Sequence, residues 1–275
     1  MKLDLHCHIR EGSIDAKVSL AEYISELKKN KIDGMLITDH DTYNGYRFWK
    51  NTMQGKMNQD FLVLKGIEYD TRDAGHMLII MPEGVKMQLL ELRGLSAVAV
   101  INFVHRHGGI IGPAHPCGEK YLSFTNTKTY YSTPELMEKF DFFEVFNSCE
   151  TEESNENARK LAEKYKKIGT GGSDAHRIDC VGKGYTEFSE KITCETELIA
   201  AIRNGKIINA TGELYKRTTK DKIGRVHKVL VYSFWVYNKW GTLIKGRKRK
   251  KKNKIENPVY PIDPIEALQV RKSRK

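Results

Sequence analysis

Histidines and carboxylates that could bind metal ions recur at the ends of apolar segments in this sequence. The first pair, His6 and His8, follows Leu3 and Leu5, whose alternation with polar residues predicts a short β-strand. Because side chains two positions apart in a strand point to the same side, both imidazoles can face one point. Imidazole is the commonest protein ligand for metal ions near neutral pH. On its own this pair is weak evidence for a metal site, and the rest of the chain adds to it.

Similar polar groups stand at the ends of later apolar segments. Six of the nine histidines in the chain belong to this set, together with three carboxylates. A backbone hydrogen bond explains any one such residue, but it does not easily explain so many, all of types that zinc, manganese and iron accept. The set exceeds what one tetrahedral ion needs, so it predicts two or three divalent ions with a bridging carboxylate. The predicted ligands are His6, His8, Asp15, His40, Glu68, His76, His115, Asp174 and His176.

The apolar segments themselves predict an α/β fold. At least six apolar strands alternate with helices over about 210 residues, which predicts parallel strands joined by right-handed crossovers. An open sheet would concentrate its ligands at one switch point and usually shows a Gly-rich phosphate loop, which this sequence lacks. Polar groups at the ends of many strands favour a barrel, because only closure brings those ends around one site. Uneven strand spacing makes the predicted TIM-like barrel irregular.

Local patterns predict where several helices lie. Ser19 and Glu22 form a capping-box pattern, which predicts a helix from there to about Asn30. A second helix is predicted over about 96–106, and a polar helix over about 152–167.

Five segments, in this order, resemble the motifs of the PHP (polymerase and histidinol phosphatase) superfamily. They are Asp-Leu-His6-Cys-His8, Thr-Asp-His40-Asp, Gly-Ile-Glu68, Gly-Pro-Ala-His115-Pro and Gly-Ser-Asp174-Ala-His176. The resemblance covers about residues 1–210. It implies an irregular (β/α)7 barrel that hydrolyses phosphoesters at a centre of two or three metal ions.

Carried over to this sequence, the resemblance implies three sets of ligands. The first ion takes His6, His8, Glu68 and Asp174, the second takes Asp15, His40 and His176, and the third takes Glu68, His76 and His115. Asp15 stands where several family members have His.

The chemistry expected of such a centre needs no side-chain nucleophile. A hydroxide that bridges two ions can attack phosphorus, because metal ions lower the pKa of bound water to about 7. The ions also offset the charge on the phosphate oxygens and on the leaving oxygen. Cys7 is therefore expected to point into the barrel wall.

Three further residues are predicted to act on the substrate beside the ions. Arg10 and Arg177 each follow a metal motif directly, and either could bind a substrate phosphate with its planar fork. An ion pair with a nearby acid explains both arginines equally well. Asn147 ends a predicted strand and could contact the substrate or a metal-bound water.

The charge divides the chain into two regions. Residues 1–213 hold 27 Lys and Arg against 31 Asp and Glu, a net charge of −4, while residues 214–275 hold 19 against 4, a net charge of +15. We therefore predict a barrel over 1–213 and a short basic C-terminal extension over 214–275, partly amphipathic and partly disordered.

Two properties of the extension stay open. Residues 226–244 have near-helical apolar spacing, whereas 229–236 are rich in β-formers. The charge run at 245–254 could attract nucleic acid or an anionic surface, or it could be a disordered, solubilising end.

The remaining composition predicts a cytoplasmic protein. Five cysteines, an odd number without a Cys-x-x-Cys pair, suit reduced thiols. The first residues do not resemble a signal peptide. The sequence also has no run of eighteen apolar residues, so it predicts no transmembrane segment.

The function predicted from these features is hydrolysis of a phosphomonoester. A single barrel with no large appended domain favours a nucleotide or another small phosphorylated metabolite as substrate. The alternative within enzymes is a nuclease or oligonucleotide phosphodiesterase whose basic tail holds the strand. A non-catalytic binding module tethered by the tail is a third possibility, against which the complete ligand set argues. The sequence leaves the oligomeric state open.

Overall fold

The computed structural model describes residues 1–53, 60–85, 88–119 and 122–215, together with residue 240. Within these ranges the chain alternates between strands and helices. The strands are β1 (Lys2–Cys7), β2 (Gly34–Ile37), β3 (Leu62–Asp70), β4 (His76–Ile80), β5 (Ile110–Pro113), β6 (Phe142–Asn147), β7 (Ile168–Gly172), β8 (Gly184–Phe188) and β9 (Ile207–Gly212).

The helices cover the outside of the strands and connect them. The α-helices are α1 (Leu20–Lys29), α2 (Asn44–Phe48), α3 (Ala97–Arg106), α4 (Lys128–Ser132), α5 (Leu136–Lys139), α6 (Glu152–Lys164) and α7 (Glu195–Arg203). A π-helical turn at Trp49–Met53 follows α2 directly. None of the helices in the described part of the chain is long and apolar enough to span a membrane.

The strands form one large curled sheet and one parallel pair. The large sheet has seven strands in the order β5-β4-β3-β2-β1-β8-β9, and β6 pairs with β7. Three hydrogen bonds connect the β6–β7 pair to strands β5, β1 and β8 of the large sheet. Asp141 N donates to Ile111 O at 2.9 Å, and Asp174 N donates to His6 O at 2.8 Å. Gly171 N also donates to the hydroxyl of Thr186 at 2.7 Å. The predicted irregular TIM-like barrel is thereby confirmed.

The prediction that the strands are parallel is wrong for part of the sheet. β1, β2 and β3 are parallel, but β4 and β8 run antiparallel to both of their neighbours. The five residues 71–75 that join β3 to β4 are too few for a crossover, which takes at least about ten. Gly75 turns the chain there with a φ of +73°. His76, the first residue of β4, consequently lies opposite Asp70, the last residue of β3.

Helix α1 shows how the sequence fixes the outer layer. Ser19 caps the helix by accepting from Glu22 N, and the Glu22 carboxylate accepts from Ser19 N at 2.9 Å, as the capping box predicts. Leu20, Ile24 and Leu27 form its buried face. The predicted helices over 96–106 and 152–167 are also present, although α6 ends at Lys164.

Apolar side chains fill the barrel on the side away from the polar strand ends. Leu5, Leu36 and Leu78 belong to one cluster with Leu198 and Ile202 of α7. This packing fixes the strands relative to one another and so fixes the residues that follow them. Apart from residue 240, the predicted helix or strand of the extension and its charge run at 245–254 lie outside the described residues.

Candidate metal centre

The Glu68 side chain lies at the centre of the polar strand ends. It is 1% exposed, and its two oxygens approach five imidazoles. Oε2 lies 3.3 Å from His6 Nε2, 3.2 Å from His8 Nε2 and 3.0 Å from His40 Nδ1. Oε1 lies 2.8 Å from His76 Nδ1 and 3.3 Å from His115 Nε2.

The six predicted histidine ligands form a closed ring of neighbouring imidazoles. Their ring centroids are separated by 5.0 Å between His6 and His8, 4.2 Å between His8 and His176, 5.8 Å between His176 and His40, 5.1 Å between His40 and His76, 5.6 Å between His76 and His115, and 6.0 Å between His115 and His6. Strands that are far apart in sequence contribute to this ring, so the barrel is what assembles it.

Two aspartates complete the cluster. Asp174 Oδ1 lies 3.4 Å from His8 Nε2 and 3.6 Å from His6 Nε2. Asp15 Oδ2 lies 3.4 Å from the Nε2 atoms of both His40 and His176. The structure therefore brings all nine predicted ligands together in one continuous group.

Burial differs between the two sides of the cluster. His6 and His8 are fully buried, whereas the side chains of Asp15, His176 and His40 are 34%, 30% and 26% exposed. The centre is consequently open to solvent on the side of Asp15.

Strained backbone occurs at three of the motifs. Asp41, His115 and Asp174 have φ values of 51°, 32° and 52°, in the left-handed region that residues other than glycine seldom adopt. Such conformations persist where the surrounding structure holds them, and they concentrate at functional sites.

Opposite charges in the cluster shift the pKa values of its members. Burial raises the pKa of Glu68, but the imidazoles of His76, His40 and His6 outweigh burial and hold that pKa well below its ordinary value. Burial lowers the pKa of His76, but Glu68 outweighs it and raises the pKa to about 9. The pKa of His176 is likewise about 9, because Asp15 outweighs the effect of burial. Glu68 is thus ionised across the physiological range.

Unpartnered buried atoms show that the cluster fits divalent ions. His6 Nε2, His8 Nε2 and Glu68 Oε2 are buried, and none has a hydrogen-bond partner within the described ranges. An unpartnered buried polar atom costs about 1–3 kcal/mol, and these atoms all point to the same centre. Convergent imidazole and carboxylate ligands suit zinc, manganese or iron.

Three overlapping triplets have ligand atoms that all lie within 4.8 Å of one another. They are His6, His8 and Glu68; His8, His40 and His176; and His40, Glu68 and His76. The first triplet agrees with the first ligand set implied by the family resemblance. Each of the other two shares two members with an implied set.

Glu144, which the sequence motifs do not indicate, also lies in the site. This carboxylate is 1% exposed, and its Oε1 lies 2.9 Å from His6 Nδ1. Its Oε2 accepts from His115 N at 2.6 Å and from Asn147 Nδ2 at 3.1 Å. The available signal was one acidic residue inside the apolar segment 142–146, because a buried carboxylate requires partners.

Ser13 and Asp39, also not predicted, support the other side of the ring. Ser13 Oγ lies 3.4 Å from His8 Nδ1 and accepts from His40 N at 3.2 Å. Asp39 Oδ1 accepts from Ile9 N at 3.0 Å. Contacts of this kind hold metal-binding imidazoles in one orientation.

The three predicted substrate residues lie in different environments. Asn147 is 1% exposed, and its amide donates to Asp174 Oδ2 at 3.2 Å, inside the cluster. Arg10 and Arg177 are at least half exposed, and each pairs with an acidic neighbour: Arg10 Nη2 lies 3.7 Å from Glu11, and Arg177 Nε lies 3.3 Å from Asp179.

Cys7 takes no part in the centre. Its thiol is buried and donates to Asp4 O at 3.3 Å, in an apolar cluster with Tyr23 and Ile24 of α1. The prediction that it points into the barrel wall is confirmed.

Comparison with known proteins finds one family match within the barrel and a relative over most of the chain. The PHP-associated family, PHP_C, matches residues 152–207. The uncharacterized protein MJ0417 of Methanocaldococcus jannaschii is 26% identical over 254 residues, which cover 86% of this chain and 97% of that protein.

Two solved structures share the fold at low sequence identity. Endonuclease Q, in complex with a 27-mer duplex that has an abasic lesion at the active site, matches with a TM-score of 0.59 and 17% identity, over 81% of this chain and 66% of that protein. A two-domain protein of Bacteroides vulgatus that contains a predicted PHP-like metal-dependent phosphoesterase matches with a TM-score of 0.52 and 16% identity, over 75% of this chain and 63% of that protein. This chain spans less than two thirds of either protein.

The barrel of this chain is similar in fold to both of these solved structures, and its ring of histidines contains groups that could hold metal ions. The family match over residues 152–207 and the shared fold support the resemblance to the PHP superfamily that the motifs indicate.

Proposed function

We propose that this protein is a metal-dependent phosphoesterase that hydrolyses a phosphomonoester of a nucleotide or of another small phosphorylated metabolite. The observation that supports the proposal most is the contact of one buried carboxylate, Glu68, with five imidazoles, among which buried ligand atoms lack hydrogen-bond partners.

The residues that would hold two or three divalent ions are those that the family resemblance implies. The first ion would be held by His6, His8, Glu68 and Asp174, the second by Asp15, His40 and His176, and the third by Glu68, His76 and His115. When bound, zinc, manganese or iron supplies an acidified water at neutral pH and positive charge for the phosphate oxygens.

The protein's own residues orient the reacting groups and control the access of water. His6, His8 and Glu68 lie out of solvent, where electrostatic attraction is stronger than in water. The phosphate would enter on the exposed side, beside Asp15. Arg10 and Arg177 each follow a ligand motif and have exposed guanidinium groups. Each would therefore leave its ion pair with the neighbouring acid and bind the substrate phosphate instead.

A second candidate function is cleavage of a nucleic-acid strand. One of the proteins that share the fold is an endonuclease with a bound DNA duplex, and residues 214–275 hold 19 basic against 4 acidic residues. We favour the small substrate because the described residues form a single barrel. The third possibility, a non-catalytic module tethered by its tail, would not require all nine ligands to converge.

A turnover screen tests these alternatives. The full-length protein, purified without chelator, is assayed with phosphomonoesters, nucleotides and short oligonucleotides in the presence of added manganese, zinc or iron. We expect release of inorganic phosphate from a small monoester. Cleavage of oligonucleotides alone would favour the second function, and no turnover of any substrate by the metal-loaded protein would favour the third.

We also propose a cytoplasmic location, which is supported by five cysteines that form no disulfide bond.

A further inference from the structure

Glu144 connects candidate ligands from three separate strands. His6 belongs to β1, and its Nδ1 lies within hydrogen-bond distance of Glu144 Oε1, while His115 follows β5 and donates its backbone N–H to Oε2. Asn147 donates from its amide both to Glu144 Oε2 and to Asp174, which follows β7. One carboxylate on β6 therefore lies between the contributions of β1, β5 and β7.

The geometry around His6 ties this carboxylate to the chemistry of one imidazole. The Nδ1 atom of His6 lies 2.9 Å from Glu144 Oε1. The Nε2 atom, on the other side of the same imidazole, lies 3.3 Å from Glu68 Oε2. If Nδ1 carries the proton that is donated to Glu144, Nε2 presents its lone pair to the centre of the cluster. A histidine can bind a metal ion only through a nitrogen that carries no proton.

We propose that Glu144 is a positioning residue that fixes the Nδ1–H tautomer of His6 and the placement of His115 and Asp174, so that all three face Glu68. The inference rests on the proposed function, because it assumes that these residues bind metal ions. Oε1 of Glu144 contacts His6 Nδ1, and Oε2 accepts from His115 N and Asn147 Nδ2. Glu144 therefore acts through the proposed ligands and is not itself one of them.

The test compares two variants that each neutralise one buried glutamate. Glu144→Gln keeps the shape of the side chain but removes the charge that accepts from His6. Glu195→Gln is the matched control. Glu195 is also buried, at 4% exposure, and it accepts from Lys65 N at 2.8 Å. Among the described residues, no proposed ligand is a hydrogen-bond partner of Glu195. The zinc dissociation constants of both variants and of the wild type are measured by competition with a chromophoric chelator.

We expect Glu144→Gln to weaken the binding of at least one zinc ion by about 10–100-fold, the usual effect of losing a partner of a metal-binding histidine. Glu195→Gln should leave zinc affinity within about 2-fold of the wild type. A purely structural role would lower the thermal midpoint of the chelator-treated protein without this selective loss of affinity. Wild-type zinc affinity in Glu144→Gln would overturn the inference.

A second measurement on the wild type does not depend on whether the variant folds. Long-range ¹H–¹⁵N spectra of the zinc-loaded protein report which nitrogen of each histidine carries the proton. We expect His6 to be protonated at Nδ1 and bound to zinc through Nε2. Protonation at Nε2 would overturn the inference and leave the proposed function standing. A wild type that binds no metal at all would contradict both.

Discussion

Glu68 Oε2 and His8 Nε2 face each other at 3.2 Å in the buried part of the cluster, and neither atom has a hydrogen-bond partner in the described part of the chain. A buried carboxylate and a buried imidazole that approach without forming a hydrogen bond leave both atoms unsatisfied. A shared metal ion would satisfy them together. Four other histidines approach the same carboxylate, all of them at 3.3 Å or less.

Glu68 should accordingly be the most sensitive carboxylate of the site. Glu68→Gln keeps the side-chain shape but removes the charge that would be shared between ions. We expect turnover to fall by at least ~10²-fold, which corresponds to about 2.7 kcal/mol of transition-state stabilisation. Steady-state rates with a phosphomonoester measure the loss, and Glu195→Gln serves as the control. Near-normal turnover of Glu68→Gln would show that its assignment as the bridging ligand is wrong.

Metal binding should release protons at neutral pH. The pKa values of His76 and His176 are about 9 in the metal-free protein, raised by Glu68 and Asp15 against the effect of burial. Both imidazoles are therefore protonated at pH 7, and a bound ion must displace those protons. Apparent affinity should consequently rise with pH up to about 9 and level off above it. Titration calorimetry in buffers of different ionisation enthalpy measures the protons released, and an affinity independent of pH between 7 and 9 would contradict the prediction.

The close approach of β7 to β1 should make Gly172 intolerant of a side chain. A Cβ at Gly172 would lie 2.5 Å from both the backbone N and the Cβ of His6. Gly172→Ala would therefore push the two strands apart and displace His6. We expect a loss of roughly 1–3 kcal/mol in the free energy of unfolding, measured with urea in the presence of chelator, together with weaker zinc binding. An unchanged free energy of unfolding together with unchanged zinc affinity would show that β7 can move away from β1 without cost.

Truncation of the basic extension should distinguish the two enzymatic functions. Removing residues 246–275 deletes most of the positive charge while leaving the barrel intact. For a small substrate we expect kcat and KM to stay unchanged, because the proposed ligands all lie within residues 6–176. For a nucleic-acid strand, KM should rise and its salt dependence should flatten, because fewer counterions would be released on binding. A large, salt-dependent loss confined to oligonucleotides would overturn our preference for the small substrate.

The sequence indicated the members of the candidate cluster more completely than it indicated the sheet. The candidate ligands were readable because all of them except Asp15 lie next to an apolar strand, and the barrel brings those strand ends together. The antiparallel direction of β4 was not predicted, although the short connection at 71–75 indicates it. The short helices α4 and α5 span five and four residues, too few for a helical period to be visible.

The residues that support the ligands could not be found from local patterns. Glu144 contacts His6 across 138 positions of sequence, and Ser13 contacts His40 N across 27. Only the folded barrel shows these relationships, because nothing in the neighbouring sequence specifies the partner. For Arg10 and Arg177 the sequence left two interpretations open, a phosphate contact and an ion pair with a nearby acid. The structure pairs each arginine with a neighbouring acid.

Elemental analysis of the full-length protein, purified without chelator, tests the central claim most directly. Nine convergent nitrogen and oxygen ligands, with buried atoms that lack hydrogen-bond partners, predict two to three equivalents of zinc, manganese or iron per chain. Removal of the metal by chelation should abolish phosphomonoester hydrolysis, and readdition should restore it. Less than one equivalent per chain, with no activity restored by any of the three metals, would contradict the multinuclear centre.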